Sequence, residues 1–174
     1  MKQSHRLNLR GNLLPNVTRI TLSGPYNGLG TTIAFARRVL RESPFHPEVR
    51  AFAEAAVGRG PRDVQARRLF KVLKDGLNYV GDTVGTEYTK APWVMIQEMR
   101  DRGYASEDCD GQATLSYTLL NLIGIPAKLR VAWYDKPMPQ HIYTVAWLNG
   151  RWVPFDTTAR FGVEPTPTKF KDFA

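Results

Sequence analysis

The sequence contains a single cysteine, Cys109, among its 174 residues. One thiol cannot form an intrachain disulfide, which excludes the small disulfide-rich scaffolds. Cys and His residues at the paired spacing of structural zinc sites are also missing. A chain of this length can bury about two-thirds of its unfolded surface without a disulfide or a metal. We therefore expect one domain held together by its hydrophobic core.

Long apolar segments are missing as well. No run of about 18 apolar residues occurs, so the sequence predicts no membrane span. The first residues, MKQSHRLNLRGNLLPN, lack a continuous apolar stretch followed by a small-residue cleavage site, and we predict no signal peptide. The expected location is the cytoplasm, or an assembly that carries the protein elsewhere.

Acidic residues are scarce in the first half of the chain. Residues 1–80 hold 14 Lys and Arg against five Asp and Glu, whereas residues 81–174 hold 10 against 11, and the whole chain carries a net charge of +8. A basic half could meet an acidic partner, although basic side chains on solvated helix faces give the same pattern. The basic stretch 59–74 shows no aromatic interleaving on its charged face, so nucleic-acid binding is not favoured.

Turn residues and apolar periodicity divide the chain into an extended N-terminal arm, 1–30, and a domain, 31–174. The segment VTRITLSG of the arm alternates like a strand. Five helices are predicted in the domain, at 31–42, 47–58, 61–80, 92–103 and 109–123. Three strands follow, KLRVAWY, HIYTVAWL and RWVPFDTT, and residues 161–174 are predicted to be a surface strap.

A hairpin between the last two predicted strands makes a geometric prediction. Asn149-Gly150 is a strong two-residue turn signal, which pairs Trp147 with Trp152. His141 and Asp156 then become diagonal neighbours on one face, about 7–8 Å apart at the backbone and within side-chain reach. Pro154 removes one ladder donor and could introduce a bulge.

Cys109 is predicted at the start of a helix, with Asp108 as the N-cap. Free backbone N–H groups at a helix start favour a thiolate, whereas Glu107, Asp108 and Asp110 would raise the thiol pKa. We expect a nearby imidazolium to dominate this balance. A Cys–His pair oriented by a carboxylate is the arrangement that nucleophilic acyl chemistry requires.

These blocks together resemble the transglutaminase-like superfamily of papain-like cysteine enzymes. The resemblance is carried by Asp108-Cys109-Asp110, the helix end GIPA at 124–127, the strand that begins with His141, and WVPFDTT at 152–158. It covers about residues 60–160. The upstream pieces, Tyr79, Thr86-Glu87-Tyr88 and Pro92, resemble versions found in bacteriophage genomes. The chain departs from the family at two positions, with Glu107 where Gly is frequent and Gly111 where a second acid is frequent.

The resemblance implies an α+β fold, with helices packed on an antiparallel sheet, and a catalytic triad of Cys109, His141 and Asp156. It implies a cysteine peptidase, amidase or acyl transferase that acts on peptide-like or peptidoglycan-like amides through a thioester. The Cys109 backbone N–H would bind the oxyanion, and Trp93 and Gln97 are candidates for the second donor. No cofactor and no metal are implied.

Three other interpretations remain open from the residues alone. Cys109 could be a buried structural thiol. Cys109, His141 and Asp156 are also zinc-ligand types, although no paired spacing supports such a site. Finally, the chain could be a structural subunit of a phage particle, in the head or the tail, which uses the fold as an assembly module. In that case the basic N-terminal half would dock onto other phage structural proteins, with or without enzymatic activity.

Overall fold

The computed structural model has an α+β fold in which helices pack against an antiparallel sheet. It describes residues 17–21, 27–81, 86–164 and 166–174. The helices are α1 (Asn27–Glu42), α2 (Pro47–Val57), α3 (Arg62–Gly76), α4 (Pro92–Arg102) and α5 (Cys109–Leu122). The strands are β1 (Val17–Thr21), β2 (Leu77–Tyr79), β3 (Thr86–Lys90), β4 (Ala105–Glu107), β5 (Ala127–Trp133), β6 (His141–Leu148), β7 (Arg151–Phe155) and β8 (Lys169–Phe173). None of the helices in these ranges combines the length and apolarity needed to cross a bilayer.

The centre of the fold is α5, which lies against a four-stranded sheet of order β7-β6-β5-β8. Leu115, Leu119 and Leu120 of this helix are fully buried, which accounts for the apolar pattern of the segment. The hydroxyl of Thr144 on β6 donates to the carbonyl of Ala113 on α5 over 2.8 Å. The first turns of α5 are thereby fixed against the middle of β6.

Glycine and proline define the helix ends that the sequence predicts. α2 and α4 begin at Pro47 and Pro92, where the missing proline N–H is not needed. They end before Gly58 and Gly103, whose φ angles of 58° and 82° are readily adopted by glycine. These two helices and α5 are confirmed to within one residue.

The first predicted helix, 31–42, begins too late. α1 begins at Asn27, so Gly28 and Gly30 lie in its first turn instead of in an extended segment. Glycine disfavours a helix by only about 1 kcal/mol per residue, and packing of the rest of α1 on α5 outweighs this cost. The strand predicted in VTRITLSG is confirmed as β1, which pairs with β3. The remainder of the predicted arm, 1–16 and 22–26, lies outside the described residues.

The predicted third helix, 61–80, is too long. α3 ends at Gly76, and Leu77–Tyr79 form β2, which pairs in parallel with β4. Val80, the last residue of that predicted helix, is 54% exposed. Leu77 happens to fit the apolar spacing of the helix, although it belongs to a strand. The strand it pairs with, β4, lies far away in the sequence, so the local pattern could not reveal it.

The tail is not only a strap, since its end forms β8 at the edge of the main sheet. Arg130 on β5 lies opposite Asp172 and donates to both carboxylate oxygens, over 2.7 and 2.8 Å. The same guanidinium also donates to Glu164 over 2.8 Å. Such bidentate pairs are stronger than ordinary ion pairs, and this one fixes the tail on β5.

The predicted hairpin is confirmed in register. Leu148 pairs with Arg151 and Trp147 with Trp152. Asn149 and Gly150 have φ angles of 51° and 79°, as a two-residue hairpin turn of this type requires. The pairing continues through Pro154 without a bulge. β7 ends at Phe155, so Asp156 follows directly after the strand instead of within it.

Candidate active site

Cys109 is the first residue of α5, and Asp108 caps this helix as predicted. Oδ1 of Asp108 accepts from the backbone N–H groups of Asp110 and Gly111, over 3.0 and 3.3 Å. A side-chain cap of this kind contributes about 1 kcal/mol to stability. The cap fixes the turn that carries the sulfur.

The surroundings of the sulfur keep it protonated. Burial raises the pKa of the Cys109 thiol most, and the charges of Asp110 and Asp108 raise it further. The thiol also lies 3.6 Å from Oδ1 of Asp110, in a hydrogen bond that stabilises the protonated form. The expectation that an imidazolium dominates is wrong, because burial and the two carboxylates outweigh the lowering influence, a hydrogen bond from the Ile142 backbone.

His141 and Asp156 are joined directly. Nε2 of His141 lies 2.7 Å from Oδ2 of Asp156, a carboxylate that is only 2% exposed. The other oxygen, Oδ1, accepts from the backbone N–H and the hydroxyl of Thr158, over 2.9 and 2.7 Å. Burial opposes ionisation of Asp156, but the hydrogen bonds from His141 and Thr158 outweigh it and lower its pKa. The imidazole and the carboxylate are therefore already joined in the free protein.

The sulfur of Cys109 lies next to the strand that carries the histidine. The Ile142 backbone hydrogen-bonds the sulfur, and Ile142 directly follows His141 in β6. The helix tip and the start of β6 therefore meet, while Asp156 reaches the same imidazole from the end of β7. The three residues singled out in the sequence thus come from α5, β6 and the loop after β7 to one region.

Gln112 links the two sides of this region, and the sequence analysis did not identify it. Its side chain is 3% exposed. Nε2 donates to the backbone carbonyl of Glu107 over 3.0 Å, and Oε1 accepts from the Thr157 hydroxyl over 2.7 Å. One amide therefore connects the segment before Cys109 to the residue after Asp156. In the sequence, only its position one turn after Cys109 could have indicated that Gln112 belongs to this site.

The two departures from the family pattern are one structural feature. The Glu107 side chain is buried and lies directly over Gly111, where a Cβ would fall 1.9 Å from Cγ of Glu107. The Glu107 carboxylate accepts from the Lys90 backbone N–H over 3.0 Å and lies 3.5 Å from Lys90 Nζ. Glu107 therefore needs glycine at position 111, and the two substitutions compensate each other.

An open cleft of about 730 Å³ borders the histidine and the aspartate. Its walls come from the end of α3, β2, Tyr134 and the loop after β7. Its lining residues are Lys74, Leu77, Tyr79, Gln112, Tyr134, His141, Asp156, Thr157, Thr158 and Ala159. The volume lies within the range of small-molecule and peptide pockets.

The candidate second oxyanion donors have other contacts. The amide of Gln97 donates to Asp101 on the same helix over 2.8 Å. Trp93 stacks on His46, with ring centroids 3.8 Å apart. Neither contact directs the side chain to the sulfur, so the second donor stays unassigned.

Metal-ligand atoms of Asp108, Cys109 and Asp110 lie within 4.8 Å of one another. Asp108 is used as the helix cap, and Oδ2 of Asp110 accepts from the Thr32 hydroxyl over 2.5 Å. Since the helix cap and Thr32 already use these oxygens, the group does not form a ready set of metal ligands. The zinc interpretation from Cys109, His141 and Asp156 gains no support from this cluster.

Comparison with known families gives one match. The profile of the transglutaminase-like superfamily matches residues 50–157, well over half of the chain and all three candidate residues. None of the curated proteins matches this chain.

Solved structures with a similar fold include a "putative protease" from Parabacteroides distasonis ATCC 8503, with a TM-score of 0.57 and 14% identity. The match covers 82% of this chain but only 27% of that one. A "putative cysteine protease" from Cytophaga hutchinsonii has a TM-score of 0.47 and 17% identity, over 64% of this chain and 37% of that one. A protein described as a TGase has a TM-score of 0.41 and 12% identity, over 84% of this chain and 37% of that one. At 14% identity the first of these similarities concerns the fold alone.

Proposed function

Because this chain belongs to the transglutaminase-like superfamily, we propose that it is a cysteine peptidase or amidase. It would cleave peptide-like amides through a thioester on Cys109, with His141 as the base and Asp156 as the residue that orients the histidine. The family also includes enzymes that transfer the acyl group to an amine instead of to water, by the same thioester chemistry.

The observation that supports this proposal most is the hydrogen bond between His141 and Asp156, at 2.7 Å, next to the cysteine helix. A buried carboxylate on one imidazole nitrogen fixes the ring and stabilises it when it becomes charged. The Ile142 backbone contact brings the sulfur to the strand of that imidazole. A purely structural cysteine would have no need for an oriented imidazole–carboxylate pair beside it.

The first half of the proposed reaction forms the thioester. Since Nε2 of His141 is bonded to Asp156, Nδ1 is the nitrogen that takes the thiol proton. The sulfur then attacks the amide carbonyl carbon, and its oxygen becomes an oxyanion. When the oxyanion collapses, the C–N bond breaks, and the imidazolium gives its proton to the leaving amine.

The second half releases the acyl group. A water molecule gives a proton to His141 and attacks the thioester carbonyl, the C–S bond breaks, and the sulfur recovers the proton. If an amine replaces water, the product is a new amide. Hydrolysis needs only water as the acceptor, which makes it the variant we favour.

Because the sulfur is protonated in the free protein, the mechanism requires that the thiol loses its proton during the reaction. Because burial and two carboxylates raise its pKa, the thiolate is not stored in the free protein. His141 must therefore remove the thiol proton when the substrate binds. Until the sulfur attacks the carbonyl carbon, the charges of Asp110 and Asp108 disfavour the thiolate. The backbone N–H of Cys109, at the positive end of α5, is the proposed first oxyanion donor, and such a donor contributes about 2.7–4 kcal/mol.

The test is a substrate panel of internally quenched peptides and purified peptidoglycan fragments, with products identified by mass spectrometry. We expect wild type to cleave at least one member and to form an acyl adduct on its single cysteine. Cys109→Ala and His141→Ala should lower kcat/KM about 10³–10⁶-fold. His46→Ala is the matched control, because it removes a histidine that stacks on Trp93, and it should keep most of the activity. Cleavage that survives in Cys109→Ala would contradict the proposal.

The assembly interpretation remains a prediction, as do the compartment and the phage origin. Its main support, the basic N-terminal arm, falls largely at residues 1–16 and 22–26, outside the described part of the chain. Sedimentation of the purified protein would test it, because an assembly module should form a discrete oligomer or bind particles, whereas a soluble hydrolase need not.

A further inference from the structure

The cleft beside His141 contains one side chain that carries a full positive charge without a carboxylate partner among the described residues. This side chain is Lys74, at the end of α3. Its Nζ donates to the backbone carbonyl of Thr157 over 2.7 Å, which is a neutral acceptor. The hydrogen bond holds the ammonium group at the wall of the cleft and leaves its charge uncompensated.

The negative groups near the cleft already have partners of their own. Asp156 is bonded to His141, and Glu164 forms its ion pair with Arg130 at 2.8 Å. Asp75, which follows Lys74 in the chain, pairs with Lys71 at 2.6 Å. An additional anion in the cleft would therefore meet the Lys74 charge with little competition from these carboxylates.

A second observation also points to a missing ligand. The hydroxyl of Tyr134 is buried, and it has no hydrogen-bond partner within the described ranges. Tyr134 lines the same cleft as Lys74. A buried donor without a partner is unfavourable, and a turn of the Tyr134 side chain toward the cleft would let this hydroxyl donate to a ligand oxygen.

From the cation and the unpaired hydroxyl we propose that the cleft is a subsite for a substrate carboxylate. The substrate class would be an acidic peptide or peptide-like amide with a Glu-type or Asp-type side chain, or a free α-carboxylate, close to the cleaved bond. This inference rests on the proposed function for the cleaved bond, but the binding of the carboxylate does not require turnover. Leu77 and the exposed ring of Tyr79 provide apolar walls for the rest of that residue.

The experiment compares matched peptides that differ in one group. Fluorescein-labelled peptides of fixed sequence carry a single Glu or a single Gln, moved one position at a time. Their binding to Cys109→Ala is measured by fluorescence anisotropy, and their cleavage by wild type is measured as kcat/KM. At one position the Glu peptide should bind about tenfold more tightly than its Gln partner, since a hydrogen bond between two charged groups is stronger than one to a neutral amide.

Three variants, each also made in the Cys109→Ala background, assign the preference to Lys74. Lys74→Met keeps the stem and removes the charge, and it should abolish the preference for Glu over Gln. Lys74→Arg keeps the charge and should retain most of the preference, which separates recognition from any loosening of the Thr157 loop. Lys71→Met is the matched control, because Lys71 lies one turn earlier on α3 and is 77% exposed, and it should retain the full preference.

The outcomes separate this inference from the proposed function. Cleavage without any Glu preference would overturn the carboxylate subsite and leave the hydrolase intact. A Glu preference in binding without cleavage would support the subsite and count against the hydrolase. A preference that survives in Lys74→Met, or no Glu-dependent binding at any position, would overturn the subsite.

Discussion

The cysteine side and the histidine–aspartate side of the candidate site differ in the charges around them. Cys109 is partly buried beside Asp108 and Asp110, two carboxylates that disfavour its ionised form. His141 lies against a buried carboxylate that two Thr158 hydrogen bonds hold in place. One side is therefore at rest with a protonated sulfur, and the other is ready to accept a positive charge.

This difference indicates which side of the site would activate the Cys109 thiol in the proposed mechanism. Enzymes with a stored thiolate keep the sulfur near cations or a helix start with few acids. In this chain the helix start is present, but its influence is outweighed by burial and acidic neighbours. In the proposed mechanism the histidine side therefore carries most of the catalytic preparation, and changes there should have the largest effects among the changes below.

Apart from removal of the cysteine or the histidine itself, the largest effect should come from Asp156→Asn, which disables the histidine side. The amide can donate to Nε2 of His141 and so favours the wrong tautomer, with the proton on Nδ1, the nitrogen that the proposed mechanism needs as the base. We expect kcat to fall about 10³–10⁴-fold, with little change in the unfolding midpoint. The measurement is steady-state kinetics on a substrate found in the panel. A loss below tenfold would mean that Asp156 does not orient the histidine.

The second prediction breaks the link between the two sides. Gln112→Ala leaves the Glu107 carbonyl and the Thr157 hydroxyl without their partner inside the protein. We expect a loss of about 1–3 kcal/mol in the free energy of unfolding, read from urea titration. Ser116→Ala is the control on the same helix, because the Ser116 hydroxyl is buried without a hydrogen bond in the described structure. Equal losses in both variants would contradict a specific linking role.

The third prediction concerns the segment that carries the cysteine. Gly111→Ala should destabilise the protein by about 1–3 kcal/mol, because the new Cβ would overlap Glu107 Cγ. Adding Glu107→Gly should recover part of this loss, although it removes the contacts with Lys90. A double-mutant cycle by urea unfolding measures the coupling. Strictly additive effects would show that the two departures from the family are independent.

The smallest effect should come from reducing the negative charge on the cysteine side. Asp110→Asn removes one of the charges that raise the thiol pKa. One pKa unit is a tenfold change in thiolate, so alkylation by iodoacetamide at pH 8 should accelerate up to about tenfold. Asp101→Asn is the control, since Asp101 is exposed on α4 and bonded to Gln97. An unchanged or slower labelling rate in Asp110→Asn would show that the Asp110 charge does not raise the pKa of the Cys109 thiol.

Local signals explain which parts of the molecule were predictable. Asn149-Gly150 determined the hairpin register, and with it the proximity of His141 and Asp156, because a two-residue turn allows little choice. Prolines and glycines set the ends of α2 and α4 for the same local reason. Asp108 next to an apolar helix was sufficient to predict the cap at Cys109.

Long-range pairing explains what was missed. β2 and β4 have three residues each and form a parallel pair, so neither shows a periodicity of its own. β8 depends on the contact of Asp172 with Arg130, 42 residues apart in the chain. Gln112 and Lys74 were overlooked because their importance comes from the Thr157 segment, which only the folded chain brings to them.

The most direct test of the whole account is the pH dependence of iodoacetamide labelling at Cys109 in wild type and in His141→Ala. The single cysteine makes the labelled site unambiguous. With a raised pKa, the thiolate appears only above the ordinary range of about 8.5–9, so labelling between pH 6 and 8 depends on His141 as the base. We predict wild-type labelling slower than that of the unfolded chain and His141→Ala labelling at least tenfold slower again. Identical rates in the two proteins across this range would contradict a functional cysteine–histidine pair.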